Sequence, residues 1–177
     1  MADVHAEAES RFPTVRWGDD TVDFQPGDPD GGPAPFAVLV FPFYGDRVVL
    51  ADIAGRGWCV PSGRIEPGET EESAVRREAL EEAGIVLGDL HLLGTYRFRR
   101  IGAPDRVSRA YVAAVEGVEP FTPGAESLGR HWFAVEDVAE HYCMRDALLD
   151  AVFDLAWRMR ELLLPRGTPI DDWISDA

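Results

Sequence analysis

The segment from Gly63 to Ile85 constrains the fold of this chain more than any other, because it marks a helix at both ends. It reads GRIEPGETEESAVRREALEEAGI. Its central part, 70–83, is rich in Glu, Ala, Leu and Arg, which favour helices. Pro67-Gly68 precedes this part and Gly84 follows it, as is typical of helix boundaries. The sequence therefore predicts a helix over 70–83.

The predicted helix has an acidic face and a face of small apolar residues. At about 100° per residue, one sector of the helix contains Glu78, Glu81 and Glu82. The adjacent sector contains Val75, Ala79 and Ala83. The helix can therefore pack on a sheet with its apolar face while its carboxylates project together over a cleft.

A cluster of carboxylates requires positive charge nearby. Like charges about 4 Å apart repel by about 1 kcal/mol in water and by about 4 kcal/mol at an effective dielectric constant of about 20. Carboxylate oxygens suit Mg²⁺ or Mn²⁺, whereas the histidines at 5, 91, 131 and 141 lack the spacing of a zinc site. The alternative is a solvated helix face on which the glutamates pair with Arg76 and Arg77.

The loop before the helix, PSGRIEPGE, forms a fixed turn that can present backbone oxygen to a metal ion. Loop and helix together resemble the Nudix box, G-x5-E-x7-R-E-U-x-E-E-x-G-U. The matching positions are Gly63, Glu69, Arg77, Glu78, Ala79, Glu81, Glu82, Gly84 and Ile85. Ala79 is smaller than the aliphatic residue that the pattern prefers, which bears on helix packing rather than on chemistry.

This resemblance implies a Nudix hydrolase with an α/β/α sandwich fold built on a mixed β-sheet. Its expected reaction is hydrolysis of a phosphoanhydride (diphosphate) bond in a nucleoside diphosphate linked to another moiety, or in a nucleoside triphosphate. The implied cofactor is Mg²⁺, with Mn²⁺ as a substitute. The resemblance assigns the metal to Gly63, Glu78, Glu81 and Glu82. It assigns the bracing of the loop against the helix to Glu69 and Arg77.

The general base has two candidates. A carboxylate within hydrogen-bonding reach of the attacking water would accept its proton. Glu78 is one candidate, and the family resemblance also allows a glutamate on a later loop, for which Glu126 in TPGAESLGRHWF is the choice. The alternative for Glu126 is an ordinary loop carboxylate.

Arginine is concentrated in 97–109, which holds five of the 17 basic residues and a single acid, Asp105. On a strand, Arg97 and Arg99 share one face, and Tyr96 and Phe98 share the other. We therefore expect Arg97, Arg99 and Arg109 to bind substrate phosphate through their guanidinium groups. The alternative is a solvated edge strand whose charges deter aggregation.

The chain is predicted to have three parts: an N-terminal arm and linker over 1–35, a Nudix domain over 36–165 that includes a C-terminal helix, and a tail over 166–177. The arm is expected to pack loosely, although Trp17, Val22 and Phe24 could form a short hairpin on the core. Strands are predicted at 35–43, 47–53, 58–60, 90–98, 108–116 and 129–135. The helix over 145–164 carries an apolar stripe of Leu148, Val152, Leu155, Met159 and Leu162.

Composition limits the partners. The net charge of −15 disfavours binding of a long nucleic acid and leaves a small nucleotide or nucleoside diphosphate derivative as the expected partner.

The longest apolar run is too short for a membrane span, and the N-terminus has no signal-peptide pattern, so we expect a cytoplasmic protein. Cys59 and Cys143 lack CxxC spacing, so neither a disulfide framework nor a zinc ribbon is predicted. The C-terminal stripe has two interpretations, packing on the sheet or forming the seam of a homodimer.

Besides a hydrolase, two other classes of function stay open. One is a prenyl diphosphate isomerase, although the residues around Cys59 do not resemble the cysteine motif of that group. The other is a Nudix-like module that binds nucleotide without cleaving it, which the intact set of glutamates disfavours.

Overall fold

The computed structural model describes residues 11–29 and 32–163. The strands of this part are β1 (Val15–Trp17), β2 (Asp20–Pro26), β3 (Ala37–Tyr44), β4 (Arg47–Ile53), β5 (Gly57–Cys59), β6 (Ser62–Arg64), β7 (Ile85–Leu87), β8 (His91–Arg99), β9 (Arg106–Val118) and β10 (Ser127–Ala134). The helices are α1 (Glu71–Ala83), α2 (Val138–His141) and α3 (Ala147–Leu163), and a 3-10 turn over Val135–Asp137 leads into α2.

The strands form one mixed sheet in the order β1-β2-β8-β9-β3-β4-β10. Strands β3 and β9 run parallel, and the other neighbouring pairs in this order are antiparallel. Strand β3 changes partner along its length, pairing with β6 over Ala37–Leu39 and with β4 at Phe43 and Tyr44. This divergence of β4 from β3 brings β6, the start of the predicted box, into the sheet.

Helices α1 and α3 cover opposite faces of the sheet. On the α1 face, Ala74, Val75, Ala79 and Ala83 pack with sheet residues that include Val38, Val40 and Val49. On the α3 face, Leu148, Val152 and Ala156 pack with sheet residues that include Phe41, Phe43 and Leu50. The predicted α/β/α sandwich is confirmed. Ala79 is wholly buried, so a small residue at this position suits the contact with the sheet.

The N-terminal hairpin is part of the sheet. Strands β1 and β2 pair with each other, and β2 continues the sheet beyond β8. Val22 and Phe24 are buried, and the ring of Trp17 contacts that of Tyr96. Of the two possibilities for this part of the arm, the hairpin on the core is the one that forms. The domain boundaries themselves stay a prediction, and the tail over 166–177 lies outside the described residues.

The C-terminal helix follows its predicted stripe in part. Leu148 and Val152 are fully buried, whereas Leu155 and Met159 are half-buried at the edge of the core. Ala156 is also fully buried. The side chain of Leu162 lies outside the described residues. Among the residues that the structure describes, no helix has the length and apolar character needed to cross a membrane.

Candidate active site

Local hydrogen bonds fix both ends of α1, the helix that carries the acidic residues. The Thr70 hydroxyl accepts a hydrogen bond from the backbone N–H of Ser73 at 3.1 Å. At the other end, Gly84 is left-handed with φ 58°, and its N–H donates to the carbonyl of Leu80 at 2.8 Å. The guanidinium of Arg130 donates to the carbonyl groups of Ala83 and Gly84, each at 2.9 Å. The predicted helix is confirmed, and its register on the sheet is well defined.

Gly63 lies directly under the carboxylate of Glu78. A Cβ atom at position 63 would overlap the carboxylate oxygens of Glu78. The backbone of Gly63 pairs with Val38 in the sheet, so the strand cannot easily retreat from the helix. The lack of a side chain at Gly63 is therefore what allows the Glu78 carboxylate to approach β6.

Arg77 connects the loop before the helix to the acidic face. Its Nε and Nη2 donate to the two carboxylate oxygens of Glu69 at 2.9 and 3.0 Å, and Nη2 also donates to the Arg64 carbonyl at 3.0 Å. Its Nη1 donates to Glu78 at 2.8 Å and to Glu81 at 3.2 Å. The hydrogen bonds from Arg77 hold the pKa of Glu69 below its usual value. In turn, hydrogen bonds to these carboxylates raise the pKa of Arg77, and the bond to Glu69 contributes most.

Glu82 is the most buried acid of the box, with 8% of its surface exposed. Its Oε2 accepts a hydrogen bond from the backbone N–H of Ser62 at 2.8 Å. Burial raises its pKa from 4.5 to about 7, and the charges of Glu78 and Glu126 add to this effect. Burial also raises the pKa of Glu78. These two carboxylates thus lie in surroundings that disfavour their negative charge.

The three glutamates of the acidic sector do not have the same environment. Glu78 and Glu82 are held against β6, whereas the side chain of Glu81 is 61% exposed and turns towards Arg77. Over residues 11–29 and 32–163, no three Asp, Glu, His or Cys side chains converge as a metal-binding group. The solvated-face alternative is present in part, because Arg77 pairs with Glu78 and Glu81, while Arg76 pairs with Glu72.

Glu126 lies beside the box although 44 positions separate it from Glu82 in the sequence. Strand β10 pairs with β4, and the Glu126 carbonyl accepts a hydrogen bond from the Ala54 N–H at 2.9 Å. The next hydroxyl, that of Ser127, donates to the Glu82 carbonyl at 2.5 Å. The Glu126 side chain is exposed, and its charge contributes to the raised pKa of Glu82.

Arg97, Arg99 and Arg109 lie on the α1 face of the sheet, and two of them have acidic partners there. Arg99 forms an ion pair with Asp23. Arg109 forms one with Asp28 at 2.6 Å and donates to the Thr95 hydroxyl at 3.0 Å. Arg97 lines a small recess with Arg109. Strand alternation places Tyr96 and Phe98 on the opposite, α3 face, as the sequence predicted.

A cavity of about 320 Å³ opens on the α3 face and extends to Ser62, the residue before the box. Its aromatic lining residues are Trp17, Tyr96, Phe98 and Tyr142. Arg56 and Ser62 line it towards the acids, and the Arg56 guanidinium lies 3.9 Å from the Glu82 carboxylate. The Tyr96 hydroxyl is buried and has no hydrogen-bond partner among the described residues. The cavity therefore offers aromatic surface, a cation and a polar atom beside the carboxylates.

Sequence reasoning did not find Arg56 or the role of Trp17 in this cavity. Arg56 lies in the tight turn between β4 and β5, where nothing in the pattern distinguishes it from any exposed arginine. Trp17 reaches the cavity because β1 folds back on β2. A second cavity, of about 290 Å³, lies between α2 and α3, and none of its lining residues belongs to the box.

Comparison with known proteins gives consistent relatives. The chain is 29% identical over 85 residues to the oxidized purine nucleoside triphosphate hydrolase of Mus musculus, covering 48% of this chain and 53% of that protein. It is 35% identical over 118 residues to diphosphoinositol polyphosphate phosphohydrolase 3-alpha of Mus musculus, covering 62% and 69%. A crystal structure of the Bacillus subtilis pyrophosphohydrolase BsRppH superposes with a TM-score of 0.69 at 25% identity, over 79% of this chain and 92% of that one.

The matched region is shorter than several of these relatives. The chain spans 53%, 58% and 63% of the length of three curated proteins that it matches. The family model of the NUDIX domain matches residues 33–152, which include the box, the cavity-lining strands β8 and β9, and the start of α3. The box, the sandwich and this match agree, and the chain belongs to the NUDIX domain family.

Proposed function

We propose that the chain hydrolyses a phosphoanhydride bond in a nucleoside diphosphate linked to another moiety, or in a nucleoside triphosphate, with Mg²⁺ as cofactor and Mn²⁺ as a substitute. One observation carries this proposal. Glu78 is half-buried and Glu82 is buried, both against β6, and Arg56 and Ser62 connect Glu82 to an aromatic-lined cavity. A diphosphate placed between cavity and acids would lie next to both.

The residues present fit a divalent cation. Burial raises the pKa of both Glu78 and Glu82, so a cation between them would relieve an unfavourable burial of charge. Their oxygens, with the carbonyl of Gly63, are the hard donors that Mg²⁺ and Mn²⁺ prefer. Glu81 is exposed, and it would exchange its ion pair with Arg77, at 3.2 Å, for contact with such a cation. When bound, the metal would supply neutralisation of the diphosphate charge and a lowered pKa for the attacking water.

The chain itself would supply positioning and proton transfer. Glu69 and Arg77 fix the loop against α1, through the hydrogen bonds that they share. Glu126, exposed beside Glu82, would accept the proton of the attacking water, and Glu78 is the alternative base. Tyr96 supports the assignment of the cavity to the nucleoside, because its buried hydroxyl without a partner is unfavourable by roughly 1–3 kcal/mol until a ligand supplies one.

A panel of nucleoside diphosphate derivatives and nucleoside triphosphates tests the proposal. With Mg²⁺, we expect at least one compound to release nucleoside monophosphate, phosphate or pyrophosphate. We expect EDTA to stop the release, because without a cation the carboxylates of Glu78 and Glu82 repel the negatively charged diphosphate. Chromatography of the products identifies the phosphorus that is attacked. Isomerisation of a prenyl diphosphate, or nucleotide binding without turnover across the panel, would contradict the proposal.

We expect Arg56→Ala to raise KM about tenfold or more, because a charge-assisted hydrogen bond to phosphate is worth roughly 1.5–3 kcal/mol. Arg56 is the guanidinium that lines the cavity and lies 3.9 Å from Glu82. Steady-state kinetics with the best compound of the panel measures the change. The proposal from the sequence that Arg97, Arg99 and Arg109 bind phosphate is tested by Arg99→Ala in the same assay. If KM is unchanged in Arg56→Ala and raised in Arg99→Ala, the phosphate binds on the α1 face of the sheet and not beside Arg56.

Two further proposals concern the assembly and location of the chain. The cytoplasmic location stays a proposal from the sequence. A homodimer through the exposed part of α3 is the other, and gel filtration with light scattering measures it directly.

A further inference from the structure

The two cysteines of the chain lie in contact although 84 positions separate them. The Sγ atoms of Cys59 and Cys143 are 2.7 Å apart. Both side chains line the aromatic cavity, next to Arg56 and Met144. The absence of CxxC spacing therefore did not exclude a pair of thiols, because the pair is made by the fold.

The backbone holds these thiols together. The N–H of Cys143 donates to the carbonyl of Trp58 at 2.8 Å, and Trp58 and Tyr142 form a parallel β-bridge. Cys59 is fixed on β5, which pairs with β4. The backbone therefore keeps the two cysteines adjacent, and only one side-chain torsion in each remains to bring the sulfur atoms together.

We propose that Cys59 and Cys143 are a reversible redox modification site, at which a low-molecular-weight disulfide oxidises both thiols to an intramolecular disulfide that leaves the cavity open. This goes beyond the proposed hydrolysis and does not depend on it. The buried Cys59 acts as the resolving thiol, and it keeps an adduct from remaining on Cys143 in the wall of the cavity.

The two thiols differ in a way that sets the order of events. Cys143 is exposed, whereas Cys59 is buried, and this burial, with the neighbouring Cys143 thiol, raises the pKa of Cys59 to about 12. The oxidant therefore meets Cys143 first. The contact between the sulfur atoms then gives Cys59 the high effective concentration of an intramolecular reaction.

The chemistry balances with glutathione disulfide as oxidant. The Cys143 thiolate attacks one sulfur of the glutathione disulfide, that S–S bond breaks, and one glutathione thiolate leaves. The Cys59 thiolate then attacks Cys143 Sγ, forms the protein disulfide and expels the second glutathione thiolate. Two protein thiols are oxidised, one glutathione disulfide is reduced, and the two thiol protons pass through solvent to the departing glutathiones.

Intact mass and thiol alkylation of the full chain after treatment with glutathione disulfide test this proposal. Wild type should lose two hydrogens and both alkylatable thiols, and dithiothreitol should restore them. Because the disulfide closes a loop across 84 positions, the Tm of the oxidised protein should exceed that of the reduced protein by roughly 5 °C or more. Cys59→Ser should instead retain one glutathionyl group, and Cys143→Ser should retain its mass.

Three results would overturn the proposal: wild type that keeps both thiols, wild type that stops at the mixed disulfide, and a disulfide between two chains. These readouts need no turnover, so they are separate from any failure of the hydrolase proposal. If the chain is a hydrolase, oxidised wild type should keep its kcat/KM within about twofold. Glutathionylated Cys59→Ser should lose at least about tenfold, because the adduct occupies the cavity wall.

Discussion

Replacing Glu82 with glutamine is expected to lower kcat about a thousandfold or more while the fold is kept. Glu82 is the most buried acid of the box and is held by the Ser62 N–H, so its position does not depend on a metal. Glutamine keeps the volume and an acceptor for this hydrogen bond but removes the charge that a divalent cation requires. A loss of several kcal/mol of transition-state stabilisation corresponds to this factor. Kinetics across a range of Mg²⁺ concentrations measures it.

The same substitution should make the metal-free protein more stable above pH 7. The pKa of Glu82 is raised from 4.5 to about 7, so between these values the unfolded chain releases a proton that the folded chain retains. Ionisable Glu82 therefore lowers stability as the pH rises through this window. Glutamine removes this effect, and we expect a gain of up to ~3 kcal/mol at pH 8 and none below pH 4. Urea unfolding in EDTA measures both.

Glu126→Gln is the matched comparison for Glu82→Gln. It also removes one carboxylate beside the box, but from an exposed side chain outside the proposed metal set. Because Glu126 is the proposed base, its replacement should lower kcat by roughly 100-fold or more. The Mg²⁺ concentration that gives half-maximal activity should not change. Full turnover in Glu82→Gln would refute its assignment as a metal ligand. Full turnover in Glu126→Gln would leave Glu78 as the base.

Gly63→Ala is expected to lower kcat/KM by roughly 100-fold with little loss of stability. The new Cβ would overlap the Glu78 carboxylate, which is the far end of a flexible side chain and can move away. The fold therefore tolerates the change, whereas Glu78 leaves its position over β6. A displacement of about 1 Å in a reacting group can lower the rate by about this factor. Thermal unfolding and kinetics on the same preparation separate the two effects.

Gly129→Ala is the control for this substitution. A Cβ at Gly129 would make only an ordinary contact with the Trp58 ring at 3.9 Å, and Gly129 lies outside the box, the aromatic cavity and the recess beside Arg97 and Arg109. Both its stability and its turnover should match wild type. Turnover of Gly63→Ala equal to wild type would show that the contact between Gly63 and Glu78 has no catalytic role. Unfolding of Gly63→Ala would show that β6, rather than Glu78, gives way.

The parts that the sequence predicted well are those with local causes. Helix α1 was predicted with its ends because Pro67-Gly68 and Gly84 mark its boundaries locally, and the structure adds the Thr70 cap to the same short segment. Strand alternation correctly separated Arg97 and Arg99 from Tyr96 and Phe98. Helical periodicity grouped Glu81 with Glu82, but it carries no information on depth. The different burial of these two residues depends on Ser62, which approaches only one of them.

Features with distant causes were missed or rested on the family resemblance alone. Glu126, which the resemblance suggested, lies beside the box because β4 pairs with β10. Arg56, which the sequence did not single out, reaches Glu82 from the turn between β4 and β5. The cavity lies on the α3 face because β1 and α3 pack there, which no local pattern records. Cys59 and Cys143 meet only when the segment after α2 pairs with β5 through Trp58 and Tyr142. In each case the sequence separation exceeds the range over which periodicity and capping act.

The small residues on the inner face of α1 determine how accurately the helix is placed on the sheet. Ala74, Ala79 and Ala83 meet the sheet through methyl groups, which have no rotamers to choose among. The height of the helix axis above β3 and β6 is therefore set by hard contacts, and thermal fluctuation of side chains contributes little to it. Glu78 and Glu82 share this fixed height, so the points at which their side chains leave the helix are set before any ligand arrives.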